Sequence, residues 1–216
     1  MSKINKYVDL TCLKPDASPT HMEDFITMAN QTNPFAVCIA PTYMSKVLNL
    51  KKSIKVCTVL NFPLGIQSRE SIMTDYLKTS FYAVEFDIVL PLFLIASWDW
   101  ELLDGWCKIM RQEISQNCLK GIIEIGYWDK SCFGTEQIKK VCEILIKNKW
   151  NFVKTSTGLG PRATTIEDIK LLKKYCGSRI KIKAAGGIKD AKFARELIKA
   201  GASRIGTSSF IIKNRR

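Results

Sequence analysis

A chain of 216 residues, 46% of them hydrophobic, can bury a sizeable core and does not have the composition of a disordered segment. Its formal charge of +13 invites a nucleic-acid reading, but the basic residues are spread from Lys3 to Arg216, the pattern of a solvated surface that equally steers small phosphorylated molecules. A single histidine, His21, and eight cysteines without a CxxC pair leave almost no material for a His-based zinc site, a serine triad or a disulfide framework.

In chain order, the start MSKINKYVDLT has no apolar core ahead of a small-residue cleavage site, and no later segment is apolar for long enough to span a bilayer. A soluble, cytoplasmic protein is expected. The first apolar run is KYVDLT (6–11), after which Ser18-Pro19 opens an amphipathic helix at HMEDFITMA. FAVCIA (35–40) and IKVCTVL (54–60) follow, the latter stopped by the turn residues of NFPLG, with Ser68 before RESIMTDYL as the next helix start. AVEFDIVL (83–90) precedes WDWELLDGW (98–106), read as helix packing, and LKGIIEI (119–125) comes next. NFVKTS (151–156) leads to Thr164-Thr165 before IEDIKLLKKY. IKIKAA (180–185) leads to Asp190 before AKFARELIKA, with Gly201 as its stop, and SRIGTS (203–208) closes the series. Eight strands alternating with helices, and no linker, predict an α/β fold, a single-domain (β/α)₈ TIM barrel over residues 1–216, with an open doubly wound sheet as the alternative.

Residues two apart on a strand share a face, and a barrel interior is ordinarily apolar. Several runs break that rule: Glu85 with Asp87, Lys120 with Ile122 and Glu124, Phe152 with Lys154 and Ser156, and Lys181 with Lys183. Glu85 and Lys181, a step deeper, read as a structural ion pair or the strand's outer face. Asp87, Lys154 and Lys183 lie near the carboxyl ends of different strands, so barrel closure would gather them. A neighbouring ammonium and partial desolvation both disfavour a protonated amine, leaving a neutral lysine able to attack a carbonyl. Asp87 would then position water or move protons. Schiff-base chemistry fits this set better than hydride or phosphoryl transfer. KAAGG (183–187) and GTSS (206–209) follow the seventh and eighth strands, where this fold binds phosphate through backbone N–H groups, and Ser208 and Ser209 add donors.

Together these motifs resemble the deoxyribose-phosphate aldolases almost end to end: VDLTCLKP, AVCIAP, VCTVLNFPLG, AVEFDIVLP, LKGIIEIG, NFVKTSTGLGPRATTIED, IKAAGGIKD and GASRIGTSS stand in the family's order. The resemblance implies that Lys154 is the Schiff-base nucleophile. It further implies that Lys183 lowers the proton affinity of Lys154 and assists proton transfer, and that Asp87 belongs to the proton relay. Asp9 and Thr11 would orient substrate or water, and Gly158, Gly186, Gly187, Ser208 and Ser209 would hold the phosphate. The substrate would be a small phosphorylated sugar, with no cofactor, metal, membrane or nucleic acid involved, and the protein a homo-oligomer, most simply a dimer. Two departures stand out. Longer members carry a terminal tyrosine implicated in proton shuttling, whereas the last tyrosine here is Tyr175. Leu159 stands where some members place a basic residue, which shifts phosphate binding toward backbone donors. The rival readings are a phosphosugar isomerase or epimerase on the same barrel, without a covalent intermediate, and a nucleic-acid-binding protein.

Overall fold

The structure, a computed structural model, describes residues 4–127 and 134–208. Its strands are β1 (Val8–Cys12), β2 (Ala36–Ile39), β3 (Lys55–Leu60), β4 (Glu85–Val89), β5 (Cys118–Ile122), β6 (Phe152–Lys154), β7 (Lys181–Ala185) and β8 (Arg204–Thr207). They pair in parallel and in sequence order, and β8 closes on β1 through Val8 opposite Ile205, so the sheet is a barrel and not the open alternative.

The helices are α1 (Pro19–Thr32), α2 (Arg69–Thr79), α3 (Leu92–Ala96), α4 (Trp100–Glu113), α5 (Thr135–Lys147), α6 (Ile166–Cys176) and α7 (Ala191–Ala200), with a 3₁₀ segment, Pro41–Asn49, between β2 and β3. The start signals work as the sequence implies. Ser18 accepts from the His21 N–H at 3.1 Å, Ser68 from Ser71 at 3.2 Å, and Asp190 from Phe193 at 2.9 Å, while Thr165 and Asp168 form a reciprocal capping box. Each satisfies an N–H that the first helical turn leaves without a partner. The tryptophan-rich stretch is α4, whose Trp106 stacks on Trp150 at 6.3 Å. No helix among the described residues is long and apolar enough to cross a membrane.

Period two along the strands separates two interiors. Phe86, Ile88, Leu119, Val153, Ile182 and Ile205 face the helices and belong to the large apolar core between barrel and helices. The apolar cluster formed by Cys38, Cys57 and Val59 is small, packed by Leu13 and Phe62. Asp9, Glu85, Asp87, Lys120, Lys154 and Lys183, which alternate with the helix-facing residues, are buried. Glu85 is in a structural ion pair. Lys181 is exposed, 5.7 Å above the Phe152 ring.

β5 and β6 end earlier than the runs LKGIIEI and NFVKTS suggest. The Ile123 N–H still donates to the Lys154 carbonyl at 3.1 Å and Ile125 to Thr155 at 2.8 Å, but Glu124 between them has φ 47°, which breaks the extended ladder.

Candidate active site

Asp87, in the middle of β4, is the hub of the barrel interior. Its Oδ1 accepts from Lys120 Nζ at 2.9 Å and from the Cys57 thiol at 3.2 Å. Its Oδ2 accepts from Lys154 Nζ at 2.8 Å and Lys183 Nζ at 2.7 Å. The network continues downward. Lys183 Nζ lies 2.5 Å from Asp9 Oδ2, Asp9 Oδ1 accepts from Arg204 at 2.7 Å, and Glu85 Oε2 meets Lys120 at 2.8 Å and Arg204 at 3.3 Å. The Arg204 guanidinium covers the base, 3.6 Å from the Phe35 ring centroid. β6 contributes Lys154 and β7 contributes Lys183 because these residues are register partners on adjacent strands, which places both ammonium groups at the same height.

These groups set one another's charge. Burial pushes the Asp87 carboxyl up, but Lys120, Lys154 and Lys183 outweigh it and hold Asp87 well below the usual carboxylate range. Burial pushes the Lys183 ammonium toward neutrality, yet Asp87 and Asp9 more than offset it, so Lys183 is held above its ordinary value. Lys120 is likewise raised by Asp87, Cys57, Asp9 and Glu85 against its burial. Asp9, despite burial, is lowered by Lys183, Lys120 and Arg204. Four cations, Lys120, Lys154, Lys183 and Arg204, thus face three carboxylates, Asp9, Glu85 and Asp87. Discharging one cation balances the set. Lys120, Lys183 and Arg204 each engage two of these carboxylates, whereas among the described residues Lys154 engages Asp87 alone.

Above the network opens a cavity of about 390 Å³ at the carboxyl ends of the strands. Of the four interior cations, Lys154 alone lines it. Thr11, Phe62 and Leu13 form one wall, and Gly158, Gly186, Gly187 and Ser208 form the other. The second wall is held together by Thr155, whose Oγ1 donates to the Ala185 carbonyl and accepts the Ala185 N–H, both at 3.0 Å, and meets Thr164 Oγ1 at 2.7 Å. Gly158 and Gly186 both have positive φ, 91° and 95°, and approach closely: a Cβ on Gly186 would sit 3.6 Å from Gly158 Cα. Among the described residues, no protein acceptor takes the N–H groups of Gly158, Gly186 or Gly187, so they remain available to an anion.

No protein-family model matches the chain. A deoxyribose-phosphate aldolase of Aquifex aeolicus is 36% identical to it over 212 residues, covering 98% of this chain and 94% of the relative. This chain belongs to the deoxyribose-phosphate aldolase family. It is therefore a lyase of the aldolase type. The solved structure of QR15, an aldolase, matches with a TM-score of 0.89 at 36% identity, over 96% of this chain and 92% of that one. The tetrameric deoxyribose phosphate aldolase of Aeropyrum pernix matches with a TM-score of 0.80 at 25% identity, over 94% and 85%.

In this aldolase, the residues singled out in the sequence fall into two groups. Lys154, Thr11, Gly158, Gly186, Gly187 and Ser208 line the cavity. Asp9, Asp87 and Lys183 lie beneath it, fully or almost fully buried. Ser209 lies outside the described residues, as do Trp128 and Cys132. Asn61 is a stitch in its loop: its side chain donates to the Val89 carbonyl and accepts the Gln67 N–H, both at 2.8 Å.

Sequence reasoning passed over several residues that the structure puts in or next to the site. Lys120 had shown itself by breaking the apolar period, whereas Arg204, at a strand start, reads in sequence as a solvent-facing residue. Lys14 and Lys189 line the cavity beside the glycine wall and supply the positive charge that Leu159 does not. Cys38 and Cys57 are register partners on β2 and β3. With Asp87 they place three ligand atoms within 4.8 Å of one another, the one such grouping found among the described residues. Two of the three, Cys57 and Asp87, already accept from the Lys120 ammonium.

Proposed function

We propose that this aldolase reversibly cleaves 2-deoxy-D-ribose 5-phosphate to acetaldehyde and D-glyceraldehyde 3-phosphate through a Schiff base on Lys154. The observation carrying this reading is that Lys154 alone among the interior cations reaches the cavity, while sharing Asp87 Oδ2 with a lysine that stays charged. The neutral amine is the form that attacks a carbonyl, and with Lys154 neutral the interior holds three cations against three carboxylates.

The neutral amine attacks the C1 aldehyde of the open-chain sugar, and loss of water gives an iminium ion. The C3 hydroxyl gives up its proton, the C2–C3 bond breaks, and its electron pair flows into the iminium. D-glyceraldehyde 3-phosphate leaves, and the enamine on Lys154 takes a proton at C2 and is hydrolysed to acetaldehyde. Asp87 links the Lys154 and Lys183 nitrogens through direct hydrogen bonds, which gives these protons a route. Asp87 serves the chemistry chiefly as a fixed negative charge, which fits a carboxyl held so far below its usual range. Thr11, which lines the cavity, orients the reacting end, and Asp9 acts from beneath it by holding Lys183. The N–H groups of Gly158, Gly186 and Gly187, with Ser208, Lys14 and Lys189, receive the phosphate. The role belongs to deoxyribonucleoside catabolism in the cytoplasm.

Reduction with borohydride in the presence of 2-deoxy-D-ribose 5-phosphate, followed by peptide mass spectrometry, tests the reading. A reduced adduct on Lys154 is expected; turnover with no adduct there would return the non-covalent isomerase reading. The family's tetrameric member and exposed apolar side chains such as Phe81, Leu77 and Leu48 support a homo-oligomer, with a dimer as its simplest form. Light scattering showing a single 24.5 kDa chain at micromolar concentration would count against it.

A further inference from the structure

Glu124 is a buried carboxylate at the tip of β5 that takes no part in the charge network around Asp87, yet the loop beside the cavity is built around it. Its Oε2 accepts the Thr157 N–H at 3.0 Å and the Thr157 hydroxyl at 2.5 Å. The Thr157 Oγ1 in turn accepts the Leu159 N–H at 3.0 Å. Glu124 Oε1, buried and without a hydrogen-bond partner, packs on Gly160, where a Cβ would collide with it. Glu124 also has φ 47°, a backbone conformation that a residue with a side chain adopts only at a cost. Such a cost persists where the surroundings over-determine it, and here the bonds from Ile123 to Lys154 and from Ile125 to Thr155 hold Glu124 against the end of β6.

The consequence concerns which N–H groups face the cavity. In the stretch Thr157, Gly158, Leu159, the first N–H is tied to Glu124 and the third to Thr157 Oγ1, which leaves the Gly158 N–H as the one without a protein acceptor among the described residues. Thr157, Gly158 and Leu159 all line the cavity, while Glu124 does not. Its charge is spent on Thr157 and covered by Gly160, so it does not confront an anion in the cavity.

We infer that Glu124 is a positioning residue which, through Thr157, aims the Gly158 N–H at the phosphate and so sets the enzyme's preference for a phosphorylated sugar. This inference rests on the proposed substrate and site. Its readout is the ratio of kcat/KM for 2-deoxy-D-ribose 5-phosphate to that for 2-deoxy-D-ribose, which a merely structural defect would leave in place. In Glu124→Ala the ratio is expected to fall about tenfold, carried by KM for the phosphorylated substrate, as loss of a charge-assisted hydrogen bond implies. Glu124→Gln, whose amide oxygen can accept both Thr157 bonds, is expected to keep the ratio within about twofold of the parent. Thr157→Val preserves shape while removing the hydroxyl link, and it should reproduce the Ala effect, so the test stands if Glu124→Ala does not fold.

Equal losses on both substrates, or a Gln variant as impaired as the Ala one, would overturn the assignment. Borohydride trapping on the same proteins separates the two readings. An adduct on Lys154 with an unchanged ratio removes only the role of Glu124. Absence of the adduct from the parent removes the Schiff-base reading, and the ratio still decides for or against Glu124.

Discussion

At the scale of single residues, the interior depends on exact partnering. Lys154→Ala removes the proposed nucleophile, and we expect no borohydride adduct and a kcat lower by about a thousandfold or more, read by coupled assay. Residual cleavage near the parental rate would take the role from Lys154. Lys120 makes a different prediction because it touches Glu85 and Asp87 at 2.8 and 2.9 Å but does not line the cavity. Lys120→Met leaves two buried carboxylates short of a partner, so unfolding free energy should drop by about 3–5 kcal/mol in denaturant titration. A loss below about 1 kcal/mol would show the network relaxing around the gap. Lys154 was legible as a candidate in sequence because an ammonium interrupts an apolar run. Arg204 was not, because it is covered by the rings of Phe35, just ahead of β2, and Phe152, on β6, both distant in the chain.

At the scale of elements, the glycine wall of the cavity is formed where the loops after β6 and β7 meet. Gly187 has φ 74° and no room for a Cβ, which would run into Ala163, whereas a Cβ on Gly158 meets nothing closer than 3.9 Å. Gly187→Ala is therefore expected to cost about 1–3 kcal/mol of stability and to raise KM. Gly158→Ala should pay only for its backbone conformation. Thermal melts and KM values on the two variants check the order; a Gly158→Ala more damaged in stability than Gly187→Ala would contradict it. Lys189, after β7, is exposed at the cavity. Lys189→Ala should raise KM for the phosphorylated sugar several-fold at low salt, with the difference shrinking as salt rises, since an exposed charge is screened beyond about 10 Å at 0.1 M. A KM change indifferent to salt would place Lys189 outside the phosphate's reach. Helix starts at Ser18, Ser68, Thr165 and Asp190 were readable because capping is local chemistry. The early ends of β5 and β6 were not, because they depend on the conformation Glu124 takes against a neighbouring strand.

At the scale of the whole molecule, the buried carboxylates tie stability to pH. Asp87 and Asp9 have folded-state values below their unfolded ones, so their contribution is present above the unfolded value, about 3.9, and is lost as pH falls below it. Lys120 and Lys183 are raised, so their contribution is complete below the unfolded value, about 10.4, and is lost only as pH rises through the folded ones. Melting temperature should therefore hold across neutral pH and fall on acidification below about 4. In Asp87→Asn the parent protein's acid decline should flatten and the neutral plateau should drop, because three ammonium groups lose a shared carboxylate. An acid limb of unchanged steepness in that variant would assign it to other groups.

The sequence by itself determined the alternation of strands and helices and the caps, and marked Asp87, Lys154 and Lys183 as candidates, because periodicity and capping are properties of neighbouring residues; the pairing of β8 with β1 decided for the barrel over the open sheet. The tertiary structure alone decided which of these reach the cavity. Strand register places Lys154 at its surface and Lys183 and Asp87 below it, brings Lys120 and Arg204 from other strands into the same network, and sets Lys14 and Lys189 at the glycine wall. Distances between side chains carried by different strands exist only once the barrel closes, and the sign and size of every charge effect depend on those distances.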